Sequence, residues 1–106
     1  MELTLNTKLI SGKIEEIVSH AKKELYIVSP YIKLTEWEGL RNNLMKFCNG
    51  SKSRKLIFLI RENDENKPNK ALEEIRKFED CSQIYLIRDL HAKLYVNERT
   101  ALLTSM

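Results

Sequence analysis

Two residues late in the chain have the types and spacing to do chemistry together. His91 and Lys93 stand one residue apart in the run His91-Ala92-Lys93-Leu94-Tyr95-Val96-Asn97, whose apolar positions read as a β-strand. Alternate side chains of an extended chain share a face, so the imidazole and the ammonium are expected to project from one side. A neutral imidazole can attack phosphorus, and a fixed ammonium can hold phosphoryl oxygens. A lysine turned into a covered sheet without a counter-charge is strongly disfavoured, so Lys93 is expected to face a polar cavity. Asn97-Glu98-Arg99-Thr100 then reads as a short turn, and Ala101 to Ser105 as the returning strand of a hairpin. That return brings Ser105 near the level of His91 and Lys93.

The pattern resembles the signature of the phospholipase D superfamily. There a His, one spacer, a Lys, four spacers and an Asp are followed by a Gly-Ser pair and, two residues on, an Asn. His91 and Lys93 match, and Glu98 stands at the Asp position. Thr104-Ser105 stands where Gly-Ser would be, after a spacer one residue shorter than usual, and the sequence stops at Met106, one residue short of the Asn. The resemblance implies a covalent phosphohistidine at His91, phosphate binding by Lys93, and donation to a phosphate oxygen from Ser105, with Thr104 beside it. It implies Glu98 as an acidic partner in the polar network, although a turn carboxylate in water describes Glu98 equally well. No metal or cofactor is required by such chemistry. The strand end Val28-Ser29-Pro30-Tyr31 also resembles a segment near the family's active site, which makes Ser29 and Tyr31 site-adjacent residues. Turn chemistry alone accounts for Ser and Pro there just as well.

The family's reaction uses two histidines: one attacks, and the other protonates the leaving oxygen and later activates water. This sequence carries one copy of the motif. His20, near the end of an amphipathic helix, reads as a partner of the helix dipole and not as the second catalyst. The second His91 is therefore expected from another subunit across a two-fold axis, making the protein a homodimer. The ending at Met106 reads as that of a piece of a longer chain, with a further domain beyond it.

The elements that must position these residues follow from hydrophobic periodicity. Ser11-Gly12 reads as a helix start, with Ile14, Ile17, Val18 and Ala21 at helical spacing through Lys23. Met1 to Leu9 reads as a short strand or lead-in. Leu25 to Val28 is a compact apolar strand, and its unbroken run points to cover on both faces. Thr35 and Glu38 form a candidate capping box for a second helix, with Trp37, Leu40, Leu44, Met45 and Phe47 as its apolar stripe. Leu56 to Ile60 is the next strand; Ala71, Leu72, Ile75 and Phe78 mark a third helix after Pro68; Ile84 to Ile87 is the third strand. Early alternation of helix and strand predicts right-handed crossovers and parallel pairing, and the terminal hairpin adds antiparallel pairing. The expected fold is a single α/β domain over 1–106: three layers, α/β/α, with a mixed sheet and helices on both faces, as the resemblance also implies.

Composition narrows the partners. The chain has 106 residues with 42% hydrophobic and 31% charged, which fits one small globular domain and excludes a disordered chain. Its net charge of +3 permits a polyanion without demanding one. No apolar run approaches the ~20 residues of a bilayer span, and the N-terminus lacks the pattern of a signal peptide, so a cytoplasmic location without membrane insertion is expected. Cys48 and Cys81 have neither metal-ligand nor CxxC spacing. They read as two reduced thiols, with a disulfide between them left open. The resemblance implies a phosphodiesterase, and the mild positive charge, without an amphipathic helix to dock a membrane, favours nucleic acid over lipid as its substrate. The alternative is a non-catalytic module that binds nucleic acid, or dimerises, within a larger restriction, helicase or regulatory protein.

Overall fold

The computed structural model describes residues 7–34, 37–50, 53–63 and 68–104, with the backbone alone for 7–9. Helix α1 (Thr7–His20) leads into strand β1 (Glu24–Ser29), followed by α2 (Glu38–Cys48), β2 (Lys55–Arg61), α3 (Lys70–Ile75) with a 3-10 segment Arg76–Cys81, then β3 (Gln83–Ile87), β4 (Lys93–Asn97) and β5 (Ala101–Thr104). The five strands form one sheet in the order β3-β2-β1-β4-β5. β1, β2 and β3 are parallel, whereas β4 runs antiparallel to β1 and β5 antiparallel to β4. This is the expected mixed α/β sheet. Among the described residues no helix is long and apolar enough to cross a membrane.

One expectation is corrected. The described helices do not flank the sheet; all of them cover one face, so the described elements form two layers where three were expected. Leu25 and Ile27 of β1, Phe58 and Ile60 of β2 and Tyr95 of β4 belong to one buried cluster with Ile14, Ile17 and Val18 of α1, Leu40, Leu44 and Phe47 of α2, and Ala71, Ile75 and Phe78 beyond β2. The reason lies in the strand order. β1 to β2 and β2 to β3 step in the same direction, and two right-handed crossovers in one direction leave both helices on the same side. The opposite face carries Tyr26 and Val28 of β1, Ile57 and Leu59 of β2, Leu94 and Val96 of β4, and Leu103 of β5, rows fixed by the pairing register. No described helix lies over them. The unbroken apolar run of β1 therefore marks a central strand, not one roofed twice.

Local differences have local causes. α1 begins at Thr7, so Ser11 and Gly12 lie inside it and Ser11 is no cap. α2 begins at Glu38 after Trp37, which makes no side-chain cap; Thr35 lies outside the described residues. Trp37 is fixed instead by its indole N–H, which donates to Glu15 Oε1 at 2.8 Å. Met45 faces solvent while Leu40, Leu44 and Phe47 are buried, which narrows the α2 stripe to the i, i+4, i+7 positions. α3 is capped by Asn69, whose side chain accepts the Leu72 N–H at 3.0 Å. The helix then tightens into a 3-10 turn around Phe78, whose ring lies 6.2 Å from that of Phe58.

Cys48, at the end of α2, and Cys81, at the end of the 3-10 segment, are joined in a disulfide, in place of the two free thiols expected. Thirty-three residues apart in sequence, they meet because both segments end at the amino edge of the parallel strands. A loop of that length corresponds to about 3–4 kcal/mol of lost denatured-state entropy. Replacing both cysteines with serine is expected to lower the denaturation free energy by about that amount, read from the urea midpoint under non-reducing conditions; an unchanged midpoint would mean that the bond does not constrain the unfolded chain.

Candidate functional site at the carboxyl ends of the parallel strands

In open α/β sheets, ligands gather beyond the carboxyl ends of the parallel strands. At that end of β1 lies Ser29, fully buried, whose hydroxyl donates to the Tyr31 carbonyl at 2.5 Å. Ile27 pairs with Tyr95 and Val28 with Leu94. Continuing that register by one residue sets Ser29 opposite Lys93, and Lys93 in turn pairs with Thr104 of β5. Ser29, Lys93 and Thr104 thus form one row across three strands. Tyr95, on the same face one row below, has its hydroxyl bonded with the Ser29 side chain. Burial, only partly offset by that bond, holds its pKa above the ordinary 10.0, so it stays a neutral phenol.

His91 is not on a strand, as its sequence pattern suggested, but in the connection before β4. That connection has an unusual path. β3 is an edge strand and β4 lies three positions away, about 14 Å at ordinary strand spacing. Residues 88–92 therefore run across the carboxyl ends of β2 and β1, turning at Asp89, which has φ 58°. The path sets His91, exposed, over the sheet's upper rim beside the half-buried Lys93. Neither side chain has a hydrogen bond or ion pair to another described residue. Tyr31, exposed at the same rim, accepts a hydrogen bond from Arg61 Nη1 at 3.1 Å. Arg61 closes β2 in the row of Ile57 and Leu59, on the face opposite the Ser29–Lys93–Thr104 row, and the sequence pattern did not single it out. Arg88, in the crossing segment, forms an exposed pair with Glu62 at 3.7 Å, of small energetic value.

Glu98 is not brought to this site. It lies beyond the opposite end of β4, five residues and ~16 Å from Lys93 along the strand. There its Oε1 accepts the backbone N–H groups of Lys22 and Lys23 at 2.5 and 2.9 Å. The catalytic role expected of Glu98 is corrected to a clasp that ties the β4–β5 turn to the end of α1. Asn97 completes the clasp. Buried, it donates through Nδ2 to the Ile17 carbonyl at 2.9 Å, and its Oδ1 accepts the N–H groups of Arg99 and Thr100 at 2.8 and 2.7 Å. Ser105 lies outside the described residues. Thr104, its neighbour, is level with Lys93. His20 ends α1 and is exposed, fitting a dipole partner.

Burial raises the Glu98 pKa, but the N–H groups of Glu98 itself, Lys22 and Lys23, with the Arg99 charge, outweigh it and hold the carboxyl below its ordinary 4.5. A depressed folded-state value means a stabilisation present above 4.5 that disappears as pH falls below it. Glu98→Gln is expected to lower stability by about 1 kcal/mol at neutral pH, a charge-assisted bond discounted for its exposure. That difference should shrink as acid is added, as measured by urea denaturation across pH. A difference that does not change with pH would count against the clasp.

Among the described residues no cluster of three His, Cys, Asp or Glu side chains is placed to hold a metal ion. No protein-family model matches the chain, and no curated protein matches it either.

Proposed function

We propose that this chain is a phosphodiesterase resembling the nucleases of the phospholipase D superfamily, acting on nucleic acid at a site completed by two copies of the molecule. The observation that carries this reading is the place of His91: exposed in the connection that crosses the carboxyl ends of the parallel strands, two residues before Lys93, which stands in a row with Ser29 and Thr104. In the proposed reaction a nitrogen of His91 attacks phosphorus, the bond from phosphorus to the leaving oxygen breaks, and His91 of the second copy gives that oxygen a proton. Water, deprotonated by the second imidazole, then displaces His91 from the phosphohistidine. Lys93 holds the non-bridging oxygens throughout.

A second reading is recognition of phosphate without turnover. One observation favours it: among the described residues no carboxylate orients the His91 imidazole, and Glu98 is engaged at the far end of β4. The deciding experiment is hydrolysis of bis-p-nitrophenyl phosphate and of a single-stranded oligonucleotide in excess chelator, for the unaltered chain and for His91→Ala. Turnover that disappears with His91 supports the first reading. Oligonucleotide binding that weakens with salt and with Lys93→Ala, without turnover, supports the second. Equal turnover in both proteins overturns the first.

A further inference from the structure

A cavity of about 590 Å³ opens at the opposite, amino edge of the sheet, and the Cys48–Cys81 disulfide forms part of its wall. Arg54, Lys55, Asp80 and Gln83 also line it. Its size falls within the ~300–1,000 Å³ typical of small-molecule sites. Both cysteines are half-buried, so the bond is neither sealed in the core nor fully in solvent.

One cation of the lining is held in place. Arg54 lies over the Phe47 ring, 5.3 Å from its centroid, and its Nη1 donates to the Phe47 carbonyl at 3.4 Å. Its Nε is buried and has no hydrogen-bond partner. Lys55 sits 5.8 Å over the Tyr26 ring, on the face of the sheet away from the helices. No ion pair with a described residue neutralises either cation. The exposed Asp80 contributes the one described carboxylate in the lining. The Arg54 guanidinium, held at the Phe47 carbonyl one residue before Cys48, favours an approaching anion and stabilises a departing thiolate in the cavity wall.

We propose that Cys48–Cys81 is a thiol–disulfide exchange site whose co-reactant is a small thiol carrying carboxylates, such as glutathione. The incoming thiolate attacks one of the two sulfurs and forms a mixed disulfide. The Cys48–Cys81 bond breaks, and its electron pair stays on the other sulfur as a thiolate in the wall that Arg54 shares. A second thiol completes the exchange: two equivalents of co-reactant are oxidised to their disulfide, and the protein gains two thiols. Reduction releases the end of α2 from the 3-10 segment.

The test is the rate of disulfide reduction in the native full chain by glutathione and by the uncharged 2-mercaptoethanol, each rate corrected for its thiolate fraction, with free thiols counted by a chromogenic disulfide reagent. At low salt glutathione is expected to react several-fold faster per thiolate. The advantage should vanish at high ionic strength, where the Debye length falls to ~3 Å, in the urea-unfolded chain, and in Arg54→Gln. Because Arg54 also bonds the end of α2, Arg54→Lys provides a second variant, in which the charge and the advantage should be retained. Mass spectrometry of Cys48→Ser and Cys81→Ser incubated with glutathione disulfide should find glutathione on the remaining cysteine, with one glutathione released as thiol. Equal per-thiolate rates for the two reductants, or free thiols at Cys48 and Cys81 in the native chain purified without reductant, would overturn the proposal. Neither outcome bears on His91, at the other end of the sheet.

Discussion

His91→Ala is expected to remove metal-independent phosphodiester cleavage by at least about 10³-fold, equivalent to about 4 kcal/mol of transition-state stabilisation. The proposed reaction passes through a bond to that imidazole, and alanine has nothing with which to form it. The same replacement should leave stability within about 0.5 kcal/mol, since His91 is exposed and bonded to no described residue. A large loss of turnover with an unchanged urea midpoint therefore separates a chemical role from a structural one. Mixing equal amounts of the unaltered and His91→Ala chains tests the two-copy site. If each site needs an imidazole from both copies, random pairing leaves about a quarter of the full activity; if each chain works alone, half remains.

Phe58→Ala is expected to cost about 3–5 kcal/mol, a large part of the 5–15 kcal/mol that holds a domain of this kind together. Phe58 is 0% exposed at the middle of β2, paired with Ile27 on one side and Ile84 on the other, with Phe78 over it. Removing its ring leaves a cavity between sheet and helices that rigid neighbours on three sides cannot fill. Leu103→Ala is the control. Leu103 is also an apolar strand residue, but it stands on the face without described helices and is 53% exposed. Its truncation should change stability by less than about 1 kcal/mol. The contrast, read from urea midpoints, measures how one-sided the core is; equal losses would mean that the second face is buried in solution.

The strands were legible in the sequence because their runs are dense and bounded. Leu25 to Val28 and Leu56 to Ile60 are each within two residues of the observed β1 and β2. The number of layers was not. Tyr26 and Val28 are apolar whether or not a helix covers them, and the side on which a helix packs depends on the direction of successive crossovers, which no local pattern encodes. The same limit applies to the disulfide: Cys48 and Cys81 carry no spacing signal, and only the shared level of two helical ends brings them together.

At the site, residues read as neighbours on a strand fared differently according to their distance along it. Thr104 and Lys93 meet because a tight hairpin fixes their pairing. Ser29 joins them because β4 lies next to β1, which local periodicity does not encode. Glu98 matched a signature position, but five extended residues separate it from Lys93, and its carboxylate found a nearer use in two backbone N–H groups of the α1–β1 connection. Asn97 gave a weak signal as an Asx-turn residue before Glu98-Arg99. Its partner, the Ile17 carbonyl, could not be anticipated at a separation of 80 residues.

That separation bears on how the molecule assembles during translation. α1 and β1 leave the ribosome early, yet the groups that clasp α1, on Asn97 and Glu98, are made some 75–80 residues later. Until then β1 has a neighbour on one side only, and the α1 surface meant for the hairpin stays wet. Closing so long a loop is entropically slow. The nascent chain should therefore hold a loose β1–β2–β3 unit that becomes protease-resistant only once β4 and β5 have emerged.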